Sequence, residues 1–396
     1  MIKKILVVGS GAREHAIVKA LFRSPKSKEI YCLASNMNPG IAELCDEIII
    51  DDINNPQTTG RYAKEIKATL AIIGPENPLA NGVSDILWDL GIPTIGPKKN
   101  LAQIEVSKSF TRNLQKTYQI PGAPIYKYFK SREGVSEFLK KLGENYVVKY
   151  DGLAGGKGVK VSGDHLKSHH DAIEYCNDLI KKGSTFLIEE KFIGEEFSLM
   201  SFCDGTNVKH MPAIQDHKRA YEGDLGPNTG GMGAYSPAPI INKTLESKII
   251  NKIVKPTLLA LKDAGKPYTG FLYVGLMIVK NEPYLIEYNI RMGDPECQVI
   301  IPRLGSDLVK IFVNAINNRL NKTQIIWRKT KCMTIVLCSK GYPGKYQKDK
   351  IIGNLKIIKP QKDIFMFHAG TKFINENLVS NGGRVINITS IGNNFY

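Results

Sequence analysis

The segment Asn145-Tyr-Val-Val-Lys-Tyr-Asp-Gly-Leu-Ala-Gly-Gly-Lys-Gly158 carries the densest chemical signal in the chain. A β-rich run ends in four glycines within seven residues, Gly152 to Gly158, flanked by Lys149 and Lys157. Glycine lets backbone N–H groups close around an anion without a Cβ clash. Two lysines add point charges suited to phosphate. The loop, centred on Gly155 and Gly156, is therefore expected to cover a polyphosphate; a mobile hairpin without a ligand is the plainer alternative. It is not a Walker loop, because Lys157 is followed by Gly158 rather than Ser or Thr.

Other segments add oxygen ligands and cations. In Pro283-Tyr-Leu-Ile-Glu-Tyr-Asn-Ile-Arg291 a period of two puts Leu285, Glu287 and Asn289 on one face. Ile286, Tyr288 and Ile290 then face apolar packing. Two oxygen ligands on a rigid strand suit Mg²⁺, which takes one or two carboxylates together with substrate phosphates. Arg291 extends the same face and could fork onto a carboxylate. Glu189 and Glu190 sit where a strand exits, and Glu196 follows a short turn. Carboxylates there can accept from ribose hydroxyls while adjacent backbone reads an adenine edge. The stretch Gln215-Asp-His-Lys-Arg219 and the Gly-rich run Gly226 to Pro237 read as one long polar loop. Its Asp216, Lys218, Arg219 and Asn228 favour substrate handling. His217 lacks a second His or Cys at ligand spacing, so it reads as structural. No Gly-x-Ser-x-Gly elbow and no Cys/His nucleophile pair is present. Catalysis by positioning and charge neutralisation is the expectation.

These groups need a scaffold. Residues 1 to about 100 alternate strand and helix: Ile5–Val8, a helix over His15–Phe22, then strands at Glu29–Ala34 and Leu70–Ile73. That order predicts an open parallel α/β sheet, with ligands at the carboxyl ends of its strands. Gly9-Ser-Gly11 and Gly74-Pro-Glu-Asn-Pro-Leu79 fall there. The Gly9-x-Gly11 pair lacks the third glycine of a dinucleotide fingerprint, since position 14 is Glu, so NAD is disfavoured. A phosphate at the helix N-terminus, helped by Arg13, fits instead. A helix carrying Lys108 follows, then a strand-and-helix unit to about 190, a β-rich part to about 325, and a short α+β end with strands at Met333–Leu337 and Val385–Ile388.

The net charge is +16, yet the lysines are dispersed and no basic run is interleaved with aromatics. Anionic small substrates and a solvated surface are expected, not nucleic acid. No apolar run reaches the roughly 18 residues that span a bilayer, and the N-terminus reads as a strand, not a signal peptide. Seven scattered cysteines without a Cys-x-x-Cys pair suggest reduced thiols in a cytoplasm.

Together, Val8-Gly-Ser-Gly-Ala-Arg-Glu-His15, Gly74 to Leu79, Lys149 to Gly158, Gln215 to Arg219, Asn228 to Pro237, Glu287-Tyr-Asn-Ile-Arg-Met-Gly-Asp-Pro-Glu296, and His368 to Thr371 with Asn381 to Arg384 resemble the glycinamide ribonucleotide synthetase family of the ATP-grasp superfamily. The resemblance runs along essentially the whole chain. It implies an N-terminal substrate-binding domain over 1–100, an ATP-grasp domain over 101–325 with a mobile lid at about 122–190, and a small C-terminal α+β domain over 326–396. It implies an ATP-dependent ligase joining glycine to 5-phosphoribosylamine through glycyl phosphate, a step of purine synthesis. Lys108, Lys149, Gly155, Gly156 and Lys157 would hold the ATP phosphates, and Glu189, Glu190 and Glu196 would frame adenosine. Glu287 and Asn289 would bind Mg²⁺ or Mn²⁺. Arg291 and Asp216 would hold the two ends of glycine, with Lys149 as the third catalytic group and Lys218 and Asn228 beside the substrates. Gly9, Gly11 and Arg13 would take the phosphoribosylamine. A cytoplasmic monomer is expected. The rivals are another ATP-grasp ligase, a nucleotide-binding regulator that does not turn over, and a nucleic-acid binder.

Overall fold

The computed structural model describes residues 3–25, 29–155, 158–264, 267–353, 355 and 361–395. Gly156 and Lys157 lie outside these described residues.

The chain opens as a five-stranded parallel sheet, in the order Glu47–Ile50, Glu29–Ala34, Lys4–Val8, Leu70–Ile73, Thr94–Ile95. Ile5, Leu6, Val7 and Val8 are all buried, as befits a strand covered on both faces. The helix expected from His15 begins earlier, at Ala12. Gly11 caps it, and the Glu14 carboxylate accepts from the Gly11 N–H at 2.6 Å. Chain order reverses between the first and fourth strands, so Gly9 and Gly74 lie side by side at the carboxyl ends.

Two further sheets build the middle. One has the order Tyr126–Phe129, Phe186–Glu190, Tyr146–Tyr150, Val159–Val161. Helices Val135–Leu142 and His169–Lys181 contribute to its own apolar core, which contains Phe129, Phe138, Tyr146 and Phe186. The other has the order Val208–His210, Glu195–Asp204, Thr269–Val279, Glu282–Asn289. Its last two strands slip register: Leu276 pairs with Leu285, but Gly275 pairs with Glu287. Ile286 is the extra, bulged residue. Strict alternation is therefore broken. Leu285, expected on the face of Glu287, joins the buried cluster of Tyr288 and Ile290, while Ile286 is only partly buried.

The long polar loop expected over 215–237 is instead an antiparallel pair of strands, Gln215–Tyr221 and Leu225–Ser236. Its glycines serve close packing: a Cβ on Gly233 would stand 2.7 Å from the Thr334 carbonyl oxygen, and one on Gly231 would strike the Pro295 ring. The pair joins the C-terminal strands Lys331–Cys338, Arg384–Gly392 and Ile364–His368 in one sheet. The C-terminal part also docks on the first sheet. The His368 N–H donates to His15 Nδ1 at 3.0 Å, and Asn38 donates to the carbonyls of His368 and Ser10 at 2.8 and 2.9 Å. Burial pushes His15 down to about 3, so it stays neutral and can accept that bond.

Candidate active site

A cavity of about 810 Å³ opens where these sheets meet, lined by residues from every part of the chain. One end gathers cations. Lys108 starts the helix Lys108–Thr117, which Ser107 caps through its side chain. Its ammonium donates to the carbonyls of Glu105 and Gly152, each at 3.2 Å, and so touches the Gly-rich turn. Asp151, just before that turn, accepts from the Ser109 hydroxyl at 2.5 Å and the Ser107 hydroxyl at 3.1 Å. Gly155 lines the cavity at φ +54°, with open space where a Cβ would point.

Lys149 comes from the adjoining strand. Its ammonium lies 2.7 Å from Glu189 Oε2 and 3.3 Å from the Ile286 carbonyl oxygen. Burial lowers its pKa, although Glu189 opposes this. Glu189 was expected to frame adenosine. Its side chain is committed elsewhere: Arg112 forks onto it at 2.7 and 3.0 Å, and Lys149 completes the cluster. Burial would raise the Glu189 carboxyl, but Arg112 and Lys149 outweigh it and bring it down to about 2. Glu190 keeps a looser place on the cavity wall, accepting from the Ile125 N–H at 3.3 Å. Glu196 pairs with Lys218. Burial works against the Lys218 charge, but Glu196 and Asp216 hold its pKa well above the ordinary value.

Glu287 stands between the two ends. Burial pushes its carboxyl up; Lys218, Lys108, Lys149 and Arg291 together pull it below the ordinary value, so it is anionic. Among the described residues no hydrogen-bond donor or ion-pair partner occupies it, which leaves its oxygens free. Asn289 lies two residues on, its Oδ1 taking only a long 3.4 Å bond from Arg291. Among the described residues no group of three His, Cys, Asp or Glu side chains could enclose a metal. The pair thus fits an ion shared with substrate phosphates better than a cage made of protein alone.

The other end is a lattice of opposite charges. Arg291 was expected to fork onto a substrate carboxylate. Its fork already meets Glu76 at 3.2 Å and Glu105 at 3.1 Å, and it also donates to the Met292 carbonyl at 3.2 Å. Burial would lower its pKa, but Glu105 and Glu76 hold it above the ordinary value. Arg13 is likewise taken: it meets Glu14 at 2.6 Å and the Met292 carbonyl at 3.2 Å. Because Glu14 also occupies the Gly11 N–H, the chain's own carboxylate fills the helix N-terminus where a phosphate was expected. Gly9 and Gly74 have no room for a Cβ beside Glu14, and the Gly9 carbonyl accepts from Cys32 at 3.2 Å. Asp216 lines the cavity with no side-chain ion-pair partner among the described residues. Burial, with Glu296 adding to it against Lys218, raises its carboxyl to about 6. Asn228 pairs with Arg219 across the two-stranded arm and lines the mouth, as does His217.

Several cavity residues were given no role by the sequence reading, although Asp294, Glu296 and Arg384 stand in its motifs. Arg112 carries one signal: it follows Lys108 by four positions, on the same helix face. Glu105, Asp294 and Glu296 line the cavity as well, with Glu105 on the Arg291 fork. Arg384 reaches in from the last long strand, meeting Asp294 Oδ2 at 3.3 Å and the carbonyls of Asp294 and Gly230 at 2.6 Å each.

Comparison with known proteins agrees with this architecture. Family models for phosphoribosylglycinamide synthetase match as its N domain over residues 3–105, its ATP-grasp (A) domain over 106–297 and its C domain over 332–396. A phosphoribosylamine–glycine ligase from Agrobacterium fabrum is 41% identical over 393 residues, covering 99% of this chain and 91% of the relative. One from Methanosarcina barkeri is 42% identical over 352 residues, covering 87% and 80%. The crystal structure of phosphoribosylamine–glycine ligase from Thermotoga maritima superposes with a TM-score of 0.81 at 30% identity, covering 99% of this chain and 93% of that one. A biotin carboxylase domain from Hydrogenobacter thermophilus, with MgADP, shares the fold at a TM-score of 0.74 and 17% identity, covering 99% and 87%. This chain belongs to the phosphoribosylglycinamide synthetase family, an ATP-grasp family.

Proposed function

We propose that this chain ligates glycine to 5-phosphoribosylamine at the expense of ATP, forming glycinamide ribonucleotide for purine synthesis. The observation that carries the reading is one cavity with two chemically distinct ends. One end has Lys108, Lys149 and the Gly-rich turn, which suit a polyphosphate. The other has Asp216, Arg291 and their charged neighbours, which suit a zwitterion and an amine.

The chemistry follows in two steps. The glycine carboxylate attacks the γ-phosphorus of ATP, breaking its bond to the bridging oxygen and releasing ADP. The phosphoribosylamine nitrogen then attacks the acyl carbon of glycyl phosphate. An amide forms, inorganic phosphate leaves, and the amine gives up a proton. Lys108 and Lys149 bind the charged phosphates, and Gly155 lets the turn lie close over them and exclude water that would hydrolyse the acyl phosphate. Asp216 orients the glycine ammonium, and Arg291, steadied by Glu76 and Glu105, offers its remaining N–H groups to the carboxylate. Glu190 and Glu196 lie where they can accept from adenosine, with Lys218 and Asn228 at the substrates' edge. Gly9, Gly11 and Arg13 shape the floor for phosphoribosylamine, where Glu14 takes the Gly11 N–H and one Arg13 N–H and the Leu33 carbonyl takes the Gly9 N–H. Glu287 and Asn289 would hold Mg²⁺ or Mn²⁺, which when bound neutralises phosphate charge.

Three units are part of the proposal, with boundaries at 1–100, 101–325 and 326–396 and a lid at about 122–190, supported by the three matched spans. A cytoplasmic monomer is also proposed, testable by sedimentation. Separately, among the described residues no helix is long and apolar enough to cross a membrane. The deciding assay is ADP release with glycine and freshly generated phosphoribosylamine, each omitted in turn. ADP that requires both supports the ligase. ADP that forms without phosphoribosylamine points to another substrate pair.

A further inference from the structure

Arg112 sits behind the nucleotide end, 2% exposed, on the helix that Lys108 begins. Its guanidinium forks onto both Glu189 oxygens at 2.7 and 3.0 Å and donates to Gln115 Oε1 at 2.7 Å and the Ile286 carbonyl at 2.9 Å. Lys149 shares two of these acceptors: Glu189 Oε2 at 2.7 Å and the Ile286 carbonyl at 3.3 Å. Two cations thus surround one anion, leaving one positive charge in surplus. Without Arg112, Glu189 and Lys149 would neutralise each other, and a buried lysine so paired offers little to a phosphate. The shared acceptor matters too. The Ile286 carbonyl belongs to the bulge next to Glu287, so the Arg112 Nη2–H donated to it holds the strand where alternation breaks.

We infer that Arg112 is a positioning residue for nucleotide binding. By engaging Glu189 in a fork, it leaves Lys149 with an unneutralised charge for the phosphates and fixes the bulge that aims Glu287. It need not touch the nucleotide. This rests on the ATP-dependent reading above.

The test uses the full chain, with ADP and adenosine as probes by calorimetry and competition. Arg112→Met should weaken ADP by about tenfold or more, the scale of a lost charge-assisted hydrogen bond, and leave adenosine within about twofold. Adding Glu189→Gln to Arg112→Met should recover at least about threefold of the ADP affinity, because Lys149 is released. Equal losses for both probes, or further loss in the double variant, would overturn the proposal. Should thermal melts show that Arg112→Met does not fold, Arg112→Lys serves instead. It keeps the charge without the fork, so ADP should weaken by no more than about threefold, with adenosine again unmoved. Larger losses, or equal ones, would overturn it. Wild-type protein that binds ADP yet makes none from ATP, glycine and phosphoribosylamine would sink the ligase reading and leave the Arg112 test standing.

Discussion

The two ends of the cavity are built on different principles. At the end proposed for the nucleotide, Lys149, Glu189 and Arg112 come from two paired strands and a neighbouring helix and pair with one another there, one positive charge in surplus. At the substrate end, Arg291, Glu76, Arg13, Asp294 and Arg384 come from segments up to several hundred residues apart and reach one another across three sheets. The first end can be rebuilt by local changes. The second depends on the whole chain being docked, since its hydrogen bonds between distant segments form only when the sheets meet.

Glu287 lies between the ends, so its loss should strike both. Glu287→Gln is expected to lower turnover by roughly 100-fold or more, because charge on the moving phosphoryl group goes uncompensated. Steady-state assays at saturating substrates check this, and near-normal turnover would remove Glu287 from the proposed metal site. Next comes Arg291→Lys, which separates the ends. Lysine keeps the charge but cannot bridge Glu76, Glu105 and a substrate together. We expect kcat/KM for glycine to fall about 30- to 100-fold while ATP affinity shifts by less than about threefold; matched losses would show that the ends are not separable at this residue.

A pH series sharpens the contrast further. Burial raises the Asp216 carboxyl to about 6, and in the role proposed for it Asp216 must be ionised to hold an ammonium. As pH falls below that value, kcat/KM for glycine should drop about tenfold per unit, while ADP affinity stays level. The sign for stability is opposite. A carboxyl with a raised native pKa binds protons more tightly when folded, so its unfavourable contribution grows as pH rises from about 4 to 6. Asp216→Asn should accordingly melt slightly higher than wild type above pH 6 and no higher at pH 4. The smallest effect is expected at Arg219, whose partly exposed ion pair with Asp164 links the turn after the strand Val159–Val161 to the two-stranded arm at the mouth. Arg219→Ala should change the KM for ATP by no more than about threefold, as such pairs contribute little; a larger rise would make the pair a true latch.

How much was readable follows the same division. The parallel opening sheet was legible because buried runs such as Ile5–Val8 have few alternatives. That Lys149, Glu287 and Asn289 line one cavity was legible because they sit on strands whose alternation and flanking residues set the direction of their side chains. The Glu189 fork was not, since Arg112 lies 77 positions away and only the packing of its helix shows it. Nor was the strand pair over 215–237, because its glycines read as loop until the Lys331–Cys338 strand appears beside them.

Sequence by itself thus determined the family, the order of the elements and the chemical types that line the cavity, because residue type and spacing dictate local geometry and available charge. Only the tertiary structure decided which charges are spent on one another. Arg291 on Glu76 and Glu105, Arg13 on Glu14, and Glu189 on Arg112 and Lys149 are pairings made by proximity in space. A Coulomb interaction depends on distance and burial, and neither is written along a chain.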